Sequence, residues 1–180
     1  REELRAGRQS FVICPLVDDS EQIAAKAATS EYQRLREDVF PDLRLALLHG
    51  RMRPGDKDRV MRAFRDGEHD ILVSTTVVEV GIDVPNASIM MIEGAERFGL
   101  SQLHQLRGRV GRGAHESYCM LLPSEHIEAA TQRLRIVEST TDGFKLAEED
   151  LKLRGPGEFY GVRQSGLDVF LDSETIEETH

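Results

Sequence analysis

FVICPLVDDSEQIAAKAATSEYQRLREDVFPDLRLALL, residues 11–48, holds one complete unit of the fold. It opens on an apolar run rich in β-branched side chains, 11–17, and closes on another, 43–48, and both read as strands. Between them Ile23, Ala27, Tyr32, Leu35 and Val39 recur at helical spacing, after a cap at Ser20 and before the break at Pro41. The unit is strand, helix, strand.

The alternation continues outward. Runs at 71–75, 88–92 and 117–122 read as three further strands. Residues 54–66 place Val60, Met61 and Phe64 on one helical face and meet a stop at Gly67. Residues 101–110 follow a cap at Ser101 and place Leu103, Leu106 and Val110 together. Strands alternating with helices predict an α/β three-layer sandwich around a mostly parallel sheet, with ligands beyond the C-terminal strand ends. After residue 122 the pattern changes. Ser124 is placed to cap a helix over 125–139, carrying Ile127, Ala130, Leu134 and Val137, Asp142-Gly143 makes a turn, and 144–153 reads as a second, shorter helix. We therefore expect one domain over 1–122, a helical hairpin with its glycine-rich loop over 123–167, and an acidic, mobile tail over 168–180.

At 180 residues, 39% hydrophobic and 31% charged, the chain is long enough to build a core without disulfide staples. No apolar run approaches the roughly 18 residues of a membrane span, and no signal-peptide pattern opens the chain. Cys14 and Cys119 lie in apolar runs and read as buried, unreactive thiols. Reduced thiols without an export signal point to the cytoplasm. The six histidines show no metal-ligand spacing, so we expect no metal held by this chain itself. Arg1 opens the chain without an initiator methionine, as in a piece of something longer.

The net charge of −9 argues at first against nucleic acid, but its distribution matters more than its sum. Residues 165–180 carry Asp168, Asp172, Glu174, Glu177 and Glu178 and no Lys or Arg. By contrast, 97–112 carry Arg97, Arg107, Arg109 and Arg112 and no acid. Residues 51–65 set Arg51, Arg53, Lys57, Arg59, Arg62 and Arg65 against Asp56 and Asp58. Basic stripes on an acidic body remain compatible with gripping phosphates.

The strongest chemical signal is QLRGRVGR, Gln105 to Arg112, at the end of the helix expected over 101–110. Arg109 and Arg112, three apart, are expected on one helix face, with Gly108 and Gly111 removing bulk beside them. Two guanidinium forks make a socket for a polyphosphate, because each donates several fixed, charge-assisted hydrogen bonds. A second signal is LVSTTVVEVGIDVP, 72–85, where a strand ends in Ser74-Thr75-Thr76, Gly81 permits close backbone approach and Asp83 offers an acceptor to a ribose hydroxyl. A third is LLHGRMRP, 47–54, with His49-Gly50 at a strand end and Arg51 and Arg53 following. A phosphate cradle is missing. The glycine-rich loop that holds a triphosphate ends in G-K-[ST], and none of Lys26, Lys57, Lys145 and Lys152 follows a glycine.

In this order and spacing, 12–15, 49–50, 72–85 and 105–112 resemble the second-domain motifs of superfamily 2 helicases and translocases. Beyond residue 122, Arg133, Arg154 in LKLRGPGE and Gln164 in RQSG resemble the TRG motif of branched-DNA translocases, which transcription-repair coupling translocases share. The resemblance covers roughly residues 8–167. It implies a RecA-like domain of the P-loop NTPase superfamily, working in an ATP-dependent double-stranded DNA motor that regresses stalled forks and migrates Holliday junctions. The alternatives are a transcription-repair coupling translocase, or a RecA-like module that binds nucleic acid or protein without catalysis. By the same resemblance Arg109 and Arg112 reach the γ-phosphate, Arg112 as the finger, and Gly81, Asp83 and Gln105 line the nucleotide cleft. His49, Gly50, Arg51, Thr75 and Thr76 sit over the nucleic-acid track, and Arg133, Arg154 and Gln164 couple the hairpin to the motor. ATP and Mg²⁺ are held mainly by a first motor domain, a wedge domain splits the junction, and both lie outside these residues. Such a protein works in the cytoplasm, on the nucleoid.

Overall fold

β1 (Gln9–Cys14) buries six residues in succession, the signature of a strand covered on both faces. A computed structural model of the chain describes residues 1–15, 21–75, 84–124 and 128–154. In chain order these form α1 (Glu2–Arg5), β1, α2 (Glu21–Arg34), β2 (Leu45–Leu48), α3 (Pro54–Arg65), β3 (Ile71–Thr75), β4 (Ala87–Glu93), α4 (Leu100–Arg107), β5 (Tyr118–Leu122), α5 (Glu128–Ser139) and α6 (Gly143–Arg154). The five strands form one sheet in the order β2-β3-β1-β4-β5, and every described pairing is parallel. Phe11 therefore stands between Leu72 and Met90, and Met91 beside Met120.

The period-two strand geometry sends alternate side chains to two cores. On one face Phe11, Ile13, Leu72, Met90 and Ile92 meet Met61 and Phe64 of α3, Leu100, Leu103 and Leu106 of α4, Leu134 and Val137 of α5 and Leu146 of α6. Phe64 sets its ring edge-on to Phe11 at 5.1 Å. On the other face Val12, Cys14, Ile71 and Val73 meet Leu4 of α1, Ala28 of α2 and Leu35. Helices on both faces of a parallel sheet make the three-layer sandwich. Only the outer strand β5 alternates, leaving Tyr118, Met120 and Leu122 exposed.

The local signals explain most boundaries. Pro54 occupies the first turn of α3, where its missing N–H costs nothing. At the other end Gly67 adopts φ +78°, its N–H reaches the Phe64 carbonyl, and Glu68 N–H reaches the Ala63 carbonyl, closing a Schellman stop. Asp142 caps α6 by accepting Phe144 N–H at 2.9 Å.

Other boundaries differ from expectation. The helix expected to run to 39 changes register into a π-helical turn, Leu35–Val39, closed by Phe40 N–H on the Leu35 carbonyl. β1 begins two residues early and ends before Pro15, which has no N–H for the ladder. Ser101 is not a cap: α4 starts at Leu100 behind Gly99, whose N–H donates to Gln102 Oε1. α1 had no sequence signal, because four residues are too few for a period. Ser20, residues 16–17, residues 125–127 and the tail at 168–180 lie outside the described residues.

Candidate functional site

The parallel sheet has two ends, and the candidate residues divide between them. At the C-terminal ends of neighbouring strands lie His49, just past β2, and Thr75, the last residue of β3. Thr75 is 1% exposed and its hydroxyl has no hydrogen-bond partner among the described residues. His49 Nδ1 is likewise buried and unpaired there. Burial, with Lys57 and Arg51 nearby, pushes the imidazole pKa below its ordinary value, so it is neutral at physiological pH. Gly50 and the exposed Arg51 follow in the turn that leads to α3. This end holds a further acidic feature that the sequence did not reveal. Burial, and then the charge of Glu31 on α2, raise Glu93 at the end of β4 to about 7, while Arg34 pairs with Glu31. Cys14 lies 4.0 Å from Glu93, and burial lifts its thiol to about 12. Cys119 is held up to about 11 by burial, so neither thiol ionises near neutrality.

Arg109 and Arg112 lie elsewhere. The chain enters β5 at Tyr118, so the turn before it sits at the opposite, N-terminal end of the sheet. The expectation of one shared helix face is corrected here: α4 stops at Arg107, and both arginines follow it. Gly108 closes the helix, Arg109 N–H bonds back to the Leu106 carbonyl, and Gly111 turns left-handed at φ +78°. The two glycines break the helix that the periodicity extends. Arg112 is exposed, and its Nε donates to the Gly108 carbonyl at 3.0 Å. Gln105 is exposed on α4, four residues before Arg109.

One close approach fixes this turn. A Cβ on Gly113 would stand 2.4 Å from the Pro85 carbonyl oxygen, so the turn lies directly against the end of the 72–85 segment. Val84 and Val110 share the same core behind it. The backbone that exits β3 at Thr75 thus returns at Val84-Pro85 beside Arg112-Gly113. Thr76, Gly81 and Asp83, the sequence candidates between those points, lie outside the described residues. Beyond, Arg8 reaches His115 Nδ1 at 3.3 Å and pairs with Glu3, whose pKa the Arg8 bond lowers.

The hairpin is tied to this turn by an arginine that the sequence reading had counted only as local charge. Arg107, the last residue of α4, donates through Nη1 to the carbonyls of Val137 at 2.6 Å and Thr140 at 2.9 Å. It therefore caps the C-terminal end of α5, where helix carbonyls lack partners and the dipole favours a cation. Arg133 on α5 reaches the other way, donating to Glu96 O at 3.0 Å and Phe98 O at 2.9 Å in the link between β4 and α4. It also stands 3.7 Å from the buried Asp150 of α6. Gly143 seats against the His104 ring, which would meet a Cβ at 2.9 Å. The expected partnership of Arg133 with Arg154 and Gln164 involves residues outside the description, the Arg154 side chain included.

A five-stranded parallel sheet between helices, with an arginine turn after the third long helix among the described residues, is the arrangement of a RecA-like helicase C-terminal domain. Residues 1–114 match the helicase conserved C-terminal domain, and the chain belongs to that family. Residues 140–177 match the family described as ATP-dependent DNA helicase RecG, domain 3, C-terminal. An ATP-dependent DNA helicase RecG from Synechocystis sp. is 52% identical over 178 residues, 99% of this chain and 21% of that protein. The chain thus spans about a fifth of that relative's length. The structure of RecG bound to a three-way DNA junction aligns with a TM-score of 0.72 at 53% identity, over 88% of this chain and 20% of that one. At 18% identity, domain 2 of the Mss116p DEAD-box helicase bound to an RNA duplex aligns at 0.62 over 77% of this chain and 51% of that one, a likeness of fold.

Proposed function

We propose that this chain is the second motor domain of an ATP-dependent double-stranded DNA translocase that remodels branched DNA, regressing stalled forks and migrating Holliday junctions in repair and recombination. The observation that carries the reading is the exposed Arg112 turn, pressed on Pro85 and joined through Arg107 to the hairpin. Arg109 and Arg112 serve the γ-phosphate, with Arg112 as the finger. Gly81, Asp83 and Gln105 line the nucleotide cleft. The arginine forks suit a triphosphate's charge, but the chain's lysines offer no cradle, so ATP and Mg²⁺ belong mainly to a first motor domain of the same polypeptide. When bound, the metal neutralises phosphate charge as it develops.

His49, Gly50, Arg51 and Thr75, at the opposite sheet end, form the nucleic-acid track together with Thr76. Two buried polar atoms there without partners among the described residues, on His49 and Thr75, support a ligand-facing role. Residues 1–122 form the motor unit, 123–167 the transmission hairpin through Arg133, Arg154 and Gln164, and 168–180 an acidic extension. A wedge domain elsewhere in the polypeptide would part the junction. The protein works in the cytoplasm, on the nucleoid.

The test separates chemistry from transmission in the full-length protein. Arg112→Ala should abolish DNA-stimulated ATP hydrolysis while branched-DNA binding survives. Arg133→Ala should lose fork unwinding and retain much of its hydrolysis. Near-normal hydrolysis by Arg112→Ala would refute the finger assignment.

A further inference from the structure

The helix α3 spends its apolar face on the core and leaves a basic face unaccounted for. Met61 and Phe64 are buried and Val60 is partly so, while Arg59, Arg62 and Arg65 are exposed in steps of three. Steps of three keep the side chains on adjoining strips of one helix flank. The flank lies on the outside of the molecule, because α3 packs beside β2, the edge strand of the sheet. Gln9 anchors the far end of the helix by donating to the Phe64 and His69 carbonyls. The row is therefore a rigid surface.

The present partners of these arginines are weak. Arg59 pairs with Asp56 at 2.6 Å with its side chain 74% exposed, Arg65 stands 3.5 Å from Asp66, and Arg62 Nε donates to the Asp58 carbonyl at 3.3 Å. Exposed pairs of this kind contribute about 0–1 kcal/mol and yield readily to a phosphate, which accepts two charge-assisted bonds from one guanidinium. A face needed only for solubility has no reason to concentrate base. Here 51–65 is +4 within a chain of −9.

We infer that Arg59, Arg62 and Arg65 form a second phosphate-binding surface for the DNA backbone, separate from the track at the strand ends. Continuity favours nucleic acid over an acidic protein. Arg51 and Arg53 stand at the entry to α3, shortly after His49, so base extends from the track toward the flank, with Lys57, between them and Arg59, set against Asp56 and Asp58. From Arg59 to Arg65 the helix rises about 9 Å. One DNA strand presents a phosphate about every 3.4 Å of helix axis, so the row faces roughly three phosphates. Asp66 and Glu68 end the surface at its far side. The row would grip a duplex arm already engaged by the track, adding hold without reading sequence.

The inference rests on the nucleic-acid reading above, and the test keeps the two apart. Dissociation constants of the full-length protein for a forked DNA and a plain duplex are measured from about 50 to 200 mM salt. Each phosphate contact adds about 0.9 to the slope of log affinity on log salt. Arg59→Gln/Arg62→Gln/Arg65→Gln should flatten that slope by about 2.7 on both DNAs, leaving the fork-to-duplex preference unchanged. Each single Gln variant should flatten it by about 0.9, which covers the case of a triple variant that folds poorly. A slope equal to the parent's overturns the inference. Absence of DNA binding by the parent itself defeats the underlying reading instead.

Discussion

Arg107 and Arg112 lie five residues apart and do opposite work. The guanidinium of Arg107 is spent inward on two carbonyls of the neighbouring hairpin, while that of Arg112 sits on an exposed turn. Both come from one basic stretch, and no residue-type rule separates them. The difference is made by what stands opposite. Arg107 is still in α4, which packs against the hairpin, whereas Gly108 and Gly111 have turned the chain away before Arg112. One arginine is thus part of the frame, and the other is presented by it.

That contrast is broken most directly at Arg112. An arginine finger is worth about 10³–10⁵ in turnover in related phosphoryl transfer. Arg112→Ala in the full-length protein should lose hydrolysis on that scale with only a small change in unfolding midpoint, since the side chain is exposed and its bond to the Gly108 carbonyl is local. Arg112→Lys should also fail, because an ammonium does not reproduce the planar fork. A variant that unfolds early would move Arg112 into the frame.

Arg107→Ala should show the opposite pattern. Removing a charged donor leaves two helix-end carbonyls unanswered, and bonds to charged groups are worth about 1.5–3 kcal/mol. The expected result is a stability loss of that order in denaturant, with the hairpin more open to hydrogen exchange than the sheet. Fork unwinding should fall further than ATP hydrolysis. Uniform loosening of the whole domain, with hydrolysis and unwinding falling in strict proportion, would dissolve the distinction between frame and finger.

Arg133→Ala sharpens the comparison from the hairpin's side. Its two bonds to Glu96 and Phe98 carbonyls hold the start of α4, and Asp150 would lose its nearby cation. Loss of unwinding with largely retained DNA binding and hydrolysis is expected. If Arg133→Ala and Arg107→Ala are fully additive in stability, the two anchors act independently rather than as one clamp.

The smallest effect concerns Glu93, a frame residue beside the candidate track. Its carboxyl titrates at about 7 when folded, against 4.5 ordinarily, because burial and Glu31 disfavour the charge. Below the unfolded value both states are protonated and the site costs nothing. Above the folded value the native state carries a disfavoured charge. Stability should therefore fall as pH rises from about 4.5 through about 7. Glu93→Gln should flatten that decline, as read from urea midpoints between pH 5 and 8; an unchanged slope would place the titration elsewhere.

Much of this was legible without coordinates. The five apolar runs are the five strands, because a parallel sheet buries both faces and writes a continuous run into each central strand. Gly67 acts as the stop it announces, because backbone geometry at that residue is local. The motif residues were legible as chemistry, but their placement was not. The periodicity of Leu103, Leu106 and Val110 continues through Gly108, so it predicted a helix that the structure ends at Arg107. The sequence also placed ligands beyond the C-terminal strand ends, where His49 and Thr75 lie, whereas Arg109 and Arg112 follow α4 at the other end of the sheet.

What the sequence alone determined is carried by neighbours within a few turns: the alternation of strands and helices, the stop at Gly67, the absence of a phosphate cradle and the arginines that could answer one. The tertiary structure decided the strand order β2-β3-β1-β4-β5 and the proximity of Gly113 to Pro85. It also decided the choice of Arg107 and Arg133 as internal anchors, through bonds spanning 30 to 37 residues. Such pairings leave no period in the chain, since the partner is a backbone carbonyl that every residue possesses. Only packing determines which carbonyl an arginine meets.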